Sequence, residues 1–328
     1  MDVHGAQVLV TGAGGFIGSH VCERLVKEGC KVRALVRYKS NSSWGWLDKS
    51  SFKEEMEIVQ GDVVDRDSIH KAMQGCSVVF HLAALIGIPY SYQAPLSYVR
   101  TNVEGTLNIL TAARDLEVQR IIHTSTSEVY GTPETVPITE SHPLKGQSPY
   151  SASKISADKL SESYFYTFGL PVTILRPFNT YGPRQSARAV LPVILTQLLS
   201  GSREIRLGAL HPRRDMTFVT DTVDGFIKAV KSDRAIGKTV QLGTGRDISI
   251  GELARLAMDV IGLEAEIICE NERLRPPQSE VERLLSKPDF AEELIGWLPQ
   301  VSLEDGIRQT TAWLQENMLY YRPGEYSI

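Results

Sequence analysis

Tyr150 and Lys154 stand four residues apart in Tyr150-Ser151-Ala152-Ser153-Lys154, a spacing that sets both side chains on one face of a helix. A free phenol ionises near ~10, too high for a base at neutral pH. A lysine ammonium beside it favours the tyrosinate and makes the phenol able to take a proton from a hydroxyl. Such a pair also arises on ordinary solvated helix faces, so its meaning rests on its surroundings. Upstream lie Thr126-Ser127-Glu128 and, near the N-terminus, the turn Gly12-Ala13-Gly14-Gly15-Phe16-Ile17-Gly18. A nucleotide-binding turn, hydroxyl and carboxylate groups at a strand end, and a phenol–ammonium pair on the next helix together make a site for redox chemistry on a carbinol.

The elements that must hold these residues are legible from the hydrophobic pattern. Apolar runs at 7–10, 31–36, 57–60, 77–82, 120–124, 172–176 and 240–242 predict strands, alternating in the first half with helical periodicity. That alternation describes an α/β fold, a Rossmann-type doubly wound parallel sheet covered on both faces. Ile17, Val21 and Leu25 form the core stripe of the first helix, and Gly29 suits its stop. Further helices are expected at 150–168, 189–200, 251–261 and 303–316. Residues 1–178, with 216–245 returning to them, are read as the dinucleotide-binding domain. Residues 179–215 and 246–328 are read as a smaller, C-terminal substrate-binding domain.

The strand before Thr11 leads into the glycine turn, whose Gly12, Gly15 and Gly18 permit a tight bend and close approach of a diphosphate, with Phe16 and Ile17 opening the helix that faces the anion. The second strand ends in Val36-Arg37-Tyr38-Lys39, where a carboxylate for the cofactor's 2′-hydroxyl is expected. Arg37 instead offers a partner to a 2′-phosphate, which slightly favours NADP+ over NAD+ and leaves both open, an exposed strand-end arginine being ordinary. Asp62, with Val63 after the third strand, is placed to meet the adenine amino group or simply to close a turn. Ala83 and Ala84 are small enough to let a cofactor pass close to the backbone, or to pack in the core.

With 328 residues and a net charge of −4, the chain has ample material for a core and no electrostatic footprint for nucleic acid or an anionic membrane. Its four cysteines are scattered, which indicates a reducing compartment and no disulfide framework, and its seven histidines lack metal-ligand spacing. The expected location is cytoplasmic, the first residues lacking a basic, apolar leader.

Taken together, the glycine turn, Gly61-Asp62, His81-Leu82-Ala83-Ala84, Ser125 to Gly131, Tyr150 with Lys154, Arg176-Pro177-Phe178-Asn179 and Arg275-Pro276 resemble the extended short-chain dehydrogenase/reductases, in particular the nucleotide-sugar 4,6-dehydratases. Residues 41–48 and 181–188 are similar to the legionaminic-acid-pathway dehydratases acting on nucleotide-linked N-acetylglucosamine. The resemblance implies a tightly bound NAD(P)+, a nucleotide-diphospho-sugar substrate and a homodimer, built in this family on helices like 150–168. Within it, Tyr150 takes the proton of the sugar 4-hydroxyl as hydride leaves C4, Thr126 holds that hydroxyl, and Lys154 tunes Tyr150 and holds the nicotinamide ribose. Glu128 is the expected base at C5, acidified by the 4-ketone, before water leaves and hydride returns to C6.

Where glucose-nucleotide dehydratases carry Asp-Glu, this chain has Ser127-Glu128. Either Glu128 does both proton transfers or Ser127 relays one, and Ser127 also suits a strand-end cap. Asn179, Arg214 and Arg275, with Arg184 or Arg188, are implied for the substrate's diphosphate and base. Three other readings compete: a decarboxylase acting on a nucleotide-linked glucuronic acid, a 4-epimerase, and a dinucleotide-sensing scaffold. An epimerase leaves Glu128 without a task, and a scaffold does not need Thr126, Tyr150 and Lys154.

Overall fold

The computed structural model describes residues 1–325; the last three residues of the expected 246–328 segment lie outside them. The first six strands are β1 (Gln7–Thr11), β2 (Lys31–Val36), β3 (Met56–Gln60), β4 (Val78–His81), β5 (Arg120–Thr124) and β6 (Val172–Pro177). They are followed by β7 (Asn179–Tyr181), β8 (Glu204–Leu207), β9 (Arg213–Phe218), β10 (Thr239–Leu242), β11 (Asp247–Ser249), β12 (Glu266–Cys269) and β13 (Arg283–Leu284). The main sheet has seven strands in the order β10-β6-β5-β4-β1-β2-β3, every neighbouring pair parallel. The order reverses between β1 and β4, so the crevice for a dinucleotide opens at the carboxyl ends of those strands.

The helices are α1 (Phe16–Lys27), α2 (Arg66–Met73), α3 (Ile88–Gln93), α4 (Pro95–Tyr98), α5 (Gly105–Asp115), α6 (Pro149–Phe168), α7 (Val190–Leu199), α8 (Val219–Lys231), α9 (Ile250–Ile261), α10 (Asp289–Ile295) and α11 (Leu303–Asn317). Alternation along the strands sorts the core into two layers, since successive side chains leave a strand on opposite faces. Leu9, Val79 and Ile121 point to one face and meet Ile69 of α2 and Ile109 of α5. Val8, Val10, Phe80 and Ile122 point to the other and meet Val21 and Leu25 of α1 and Phe226 of α8. Strand β6 is buried along its whole length, as a central strand covered on both faces should be.

Two local devices set the site. Ser148 caps α6 by accepting from Ser151 N while Ser151 Oγ accepts from Ser148 N, and Gly169 ends the helix in the left-handed region at φ 66°. Asn102, between α4 and α5, accepts from Leu85 N and donates to Leu85 O and Ser153 Oγ, which pins the segment after β4 to α6. Beyond the main sheet, β7, β9, β11 and β13 form a second sheet, and β8 pairs with β12. No described helix is long and apolar enough to cross a membrane.

Candidate active site

A cleft of about 810 Å³ runs over the carboxyl ends of β1, β2, β4, β5 and β6. Gly12, Gly15, Phe16, Ile17 and Gly18 line one end of it. Gly12 has φ +69°, and a Cβ there would lie 2.8 Å from the Ala83 amide nitrogen, so only glycine fits between β1 and β4. Helix α1 starts behind Gly15 with no side-chain cap, which leaves its first-turn amides for an anion. Thr11 Oγ1 accepts from the Leu82 and Ala83 amides at 3.2 and 3.1 Å, and thereby holds Ala83 and Ala84 against the cleft wall.

Arg37, Asp62 and Val63 border the same end. Arg37 is exposed, and its Nε lies 3.3 Å from the Asp62 carboxylate. Asp62 also accepts from the Val64 amide, the turn-closing role, while Asp65 caps α2. The guanidinium offered to a 2′-phosphate thus already faces a carboxylate.

At the centre, Thr126, Glu128, Tyr150 and Lys154 line the cleft together. Thr126 is the residue before a short 3-10 turn, Ser127–Tyr130, and its Oγ1 accepts from the Glu128 amide. Burial pushes the Tyr150 phenol well above the ordinary tyrosine range; a hydrogen bond with Thr126 opposes that push, and the Glu128 charge adds to it. Lys154 Nζ donates to the Thr124 carbonyl at 2.6 Å. Burial lowers Lys154 itself to about 8, with the Asp158 carboxylate pulling the other way. Tyr98 packs edge-on against Tyr150 with ring centroids 6.2 Å apart.

Toward the far end lie Asn179, Arg188, Arg214 and Arg275. Arg214 and Arg275 share one oxygen of Glu280, at 3.0 and 3.3 Å, so two guanidinium groups converge on one side of the cleft. Two of the expected residues are not brought to it. Arg184 itself does not line the cleft; it binds Glu23 Oε1 at 2.9 Å and Ser19 Oγ at 3.2 Å and so braces the 182–188 loop on α1. Ser127 is buried at the start of its turn and does not line the cleft.

Sequence reasoning left one wall of the cofactor end unassigned. Ser43, Trp44 and Gly45 line the cleft, and Trp46 N donates to Gly14 O at 3.0 Å. The Trp46 ring meets Trp313 and Tyr320 edge-on at 5.3 and 5.5 Å. Tyr321, edge-on to Trp313 at 6.1 Å, donates through its OH to Gln185 O at 2.7 Å. A glycine between two tryptophans was the available signal, because it marks close backbone approach.

The residues present fit a dinucleotide. Thr124 Oγ1, Asn179 Oδ1 and Gln185 Oε1 are buried without a partner, and all three residues line the cleft. Buried polar atoms of this kind need a counterpart, and a polar ligand in the cleft supplies one.

Comparison with known proteins agrees with this geometry. The family model described as GDP-mannose 4,6 dehydratase matches residues 9–310. A dTDP-glucose 4,6-dehydratase of Actinoplanes sp. is 32% identical over 96% of this chain and 99% of its own length. A putative UDP-glucose 4-epimerase of Methanocaldococcus jannaschii is 31% identical over 94% of this chain and 99% of its own. The structure of DesIV, a dTDP-glucose 4,6-dehydratase from Streptomyces venezuelae with NAD and TYD bound, superposes with a TM-score of 0.86 at 29% identity, covering 96% of this chain and 99% of that one. The chain belongs to the GDP-mannose 4,6 dehydratase family, the extended short-chain dehydrogenase/reductases that act on nucleotide sugars.

Proposed function

We propose that this protein is a nucleotide-diphospho-sugar 4,6-dehydratase that converts UDP- or GDP-N-acetylglucosamine to its 4-keto-6-deoxy form. The observation that carries the reading is Glu128 lining the same cleft as Thr126, Tyr150 and Lys154, a carboxylate that simple oxidation or epimerisation does not need. A bound NAD(P)+ supplies the hydride acceptor and donor. Thr126 holds the 4-hydroxyl and Tyr150 takes its proton. Lys154, anchored on Thr124 O, holds the nicotinamide ribose. Glu128 removes the C5 proton and delivers it to the departing 6-hydroxyl, which leaves as water; hydride then returns to C6 and C5 regains a proton, balanced by the one Tyr150 took from the 4-hydroxyl. The burial of Ser127 away from the cleft supports giving both elimination transfers to one carboxylate. Asn179, Arg188 and the Arg214–Arg275 pair bind the nucleotide diphosphate, guanidinium forks being suited to phosphate oxygens.

For the cofactor, the carboxylate of Asp62 beside Arg37 supports NAD+ over the NADP+ preference expected from Arg37 alone, since a 2′-phosphate would meet a negative charge there. Titrating both dinucleotides into the protein decides between them. The homodimer is retained on the expected helix α6, whose exposed apolar part is its C-terminal end. Leu160 and Tyr164 of α6 pack inward on their own chain, whereas Tyr166 and Phe168 of α6 and Leu107 of α5 are exposed. Sedimentation of the purified chain tests it.

Product masses after incubation with candidate nucleotide sugars test the function. Loss of water is the expected result. Loss of carbon dioxide from a glucuronate, or unchanged mass with altered stereochemistry, refutes it in favour of decarboxylation or epimerisation, and no turnover favours the scaffold.

A further inference from the structure

Behind the cleft lies a buried polar cluster that reaches it only through Ser125. Asp158, fully buried on α6, sits one helical turn beyond Lys154 and two beyond Tyr150. Its carboxylate accepts from Ser125 Oγ at 2.7 Å, from Arg176 Nη2 and Nε at 2.9 and 3.2 Å, and lies 3.2 Å from His123 Nε2. Arg176, on β6, donates through Nη1 to the Tyr130 hydroxyl at 3.0 Å, which also accepts from Gln241 Nε2 at 2.7 Å. Tyr130 ends the short turn that carries Glu128. Ser125 lies between Thr124, whose carbonyl holds Lys154, and Thr126, which bonds Tyr150.

The cluster therefore has one hand on the helix of the oxidising pair and one on the turn of the eliminating carboxylate. An isolated charge this deep costs several kcal/mol or more to bury, and well-packed apolar residues often replace such a pair without loss of stability. We propose that Asp158 and Arg176 are positioning residues that fix the Glu128 turn against the Tyr150–Lys154 helix, so that one bound sugar is oxidised at C4 and deprotonated at C5 without moving. The inference rests on the dehydratase reading. Asp158 is held as an anion near 2, mainly by His123 and Arg176 against the cost of burial, and its charge helps Lys154 keep a proton.

The test separates the two half-reactions on the holoenzyme with a nucleotide-linked N-acetylglucosamine. Tyr130→Phe removes one hydroxyl and frees the Arg176 and Gln241 donors. Asp158→Leu/Arg176→Met removes the pair together, a replacement that buried ion pairs often tolerate. Single-turnover absorbance reads formation of the reduced nicotinamide, and product mass reads water loss. In Tyr130→Phe, oxidation at C4 should stay within about threefold of wild type while elimination slows at least tenfold, so that reduced cofactor accumulates. The folded double variant should show the same split with slower oxidation as well. Equal slowing of both steps in Tyr130→Phe, or no slowing, overturns the proposal. If the wild-type protein itself releases no water, the functional reading fails before the variants are compared, and the two failures are thus distinct.

Discussion

Replacing Lys154 with methionine should abolish turnover and at the same time stabilise the fold at neutral pH. Lys154 is 4% exposed, and burial holds its ammonium at about 8 instead of 10.5. At about 1.4 kcal/mol per pKa unit, keeping that proton in the folded protein costs on the order of 3 kcal/mol. Methionine fills a similar volume without charge, but forfeits the bond to Thr124 O, worth roughly 1 kcal/mol. The expected net gain is about 1–2 kcal/mol at pH 7, a rise in melting midpoint on the order of 2 °C per kcal/mol.

The pH dependence carries the sharper signature. Between about 8 and 10.5 the unfolded chain binds more protons at this lysine than the folded one, so wild-type stability gains from this group as pH rises through that window. The variant has no such gain, and its advantage at pH 7 should fade by pH 10. Calorimetric melts of both proteins at pH 7, 8.5 and 10, with a product assay at each, make the measurement. A variant less stable than wild type by the same margin at every pH, or one that still turns over, refutes the reasoning.

Three further outcomes are expected. Tyr150→Phe should cut formation of reduced cofactor by ~10²-fold or more, and near-normal oxidation in a stopped-flow trace would remove the phenol from its role. Glu128→Gln should oxidise C4 and then stall, seen as a stable reduced-nicotinamide band with little water loss; full product formation would count against the carboxylate. Trp46→Ala removes the ring that meets Trp313 and Tyr320 and should weaken dinucleotide binding about tenfold, at roughly 0.5–1.5 kcal/mol for such aromatic contacts, with turnover at saturating cofactor little changed; unaltered affinity in a fluorescence titration would dismiss the wall it supports.

The sheet was readable because burial on both faces leaves continuous apolar runs. The expected strand at 31–36 coincides with β2, and that at 77–82 only overshoots β4 (Val78–His81) by a residue at each end. The glycine turn and the Tyr150–Lys154 spacing are local patterns, and local patterns survive without coordinates. Between Arg184 and Arg188 the sequence leaves the choice open because a guanidinium serves a phosphate or a carboxylate equally well, and only the fold brings Glu23 of α1 to Arg184. The Asp158–Arg176–Tyr130 cluster was illegible for a related reason, its members meeting through packing of α6 on β6 and not through spacing. Leu160, Tyr164 and Phe168 recur at every fourth residue of α6, a spacing that does not say whether the partner is the same chain or another.

The aromatic contacts around Trp313, Tyr320 and Tyr321 have an implication for biosynthesis. These side chains brace Trp46 of the 43–46 loop and Gln185, both next to residues of the crevice wall, and they are translated after nearly everything they touch. The nucleotide-binding sheet can therefore assemble on the ribosome while its mouth is still unbraced, and a chain cut short before residue 313 should retain much of its architecture but hold its dinucleotide poorly. Competence to hold the dinucleotide is thus expected only once residues 313–321 have been made.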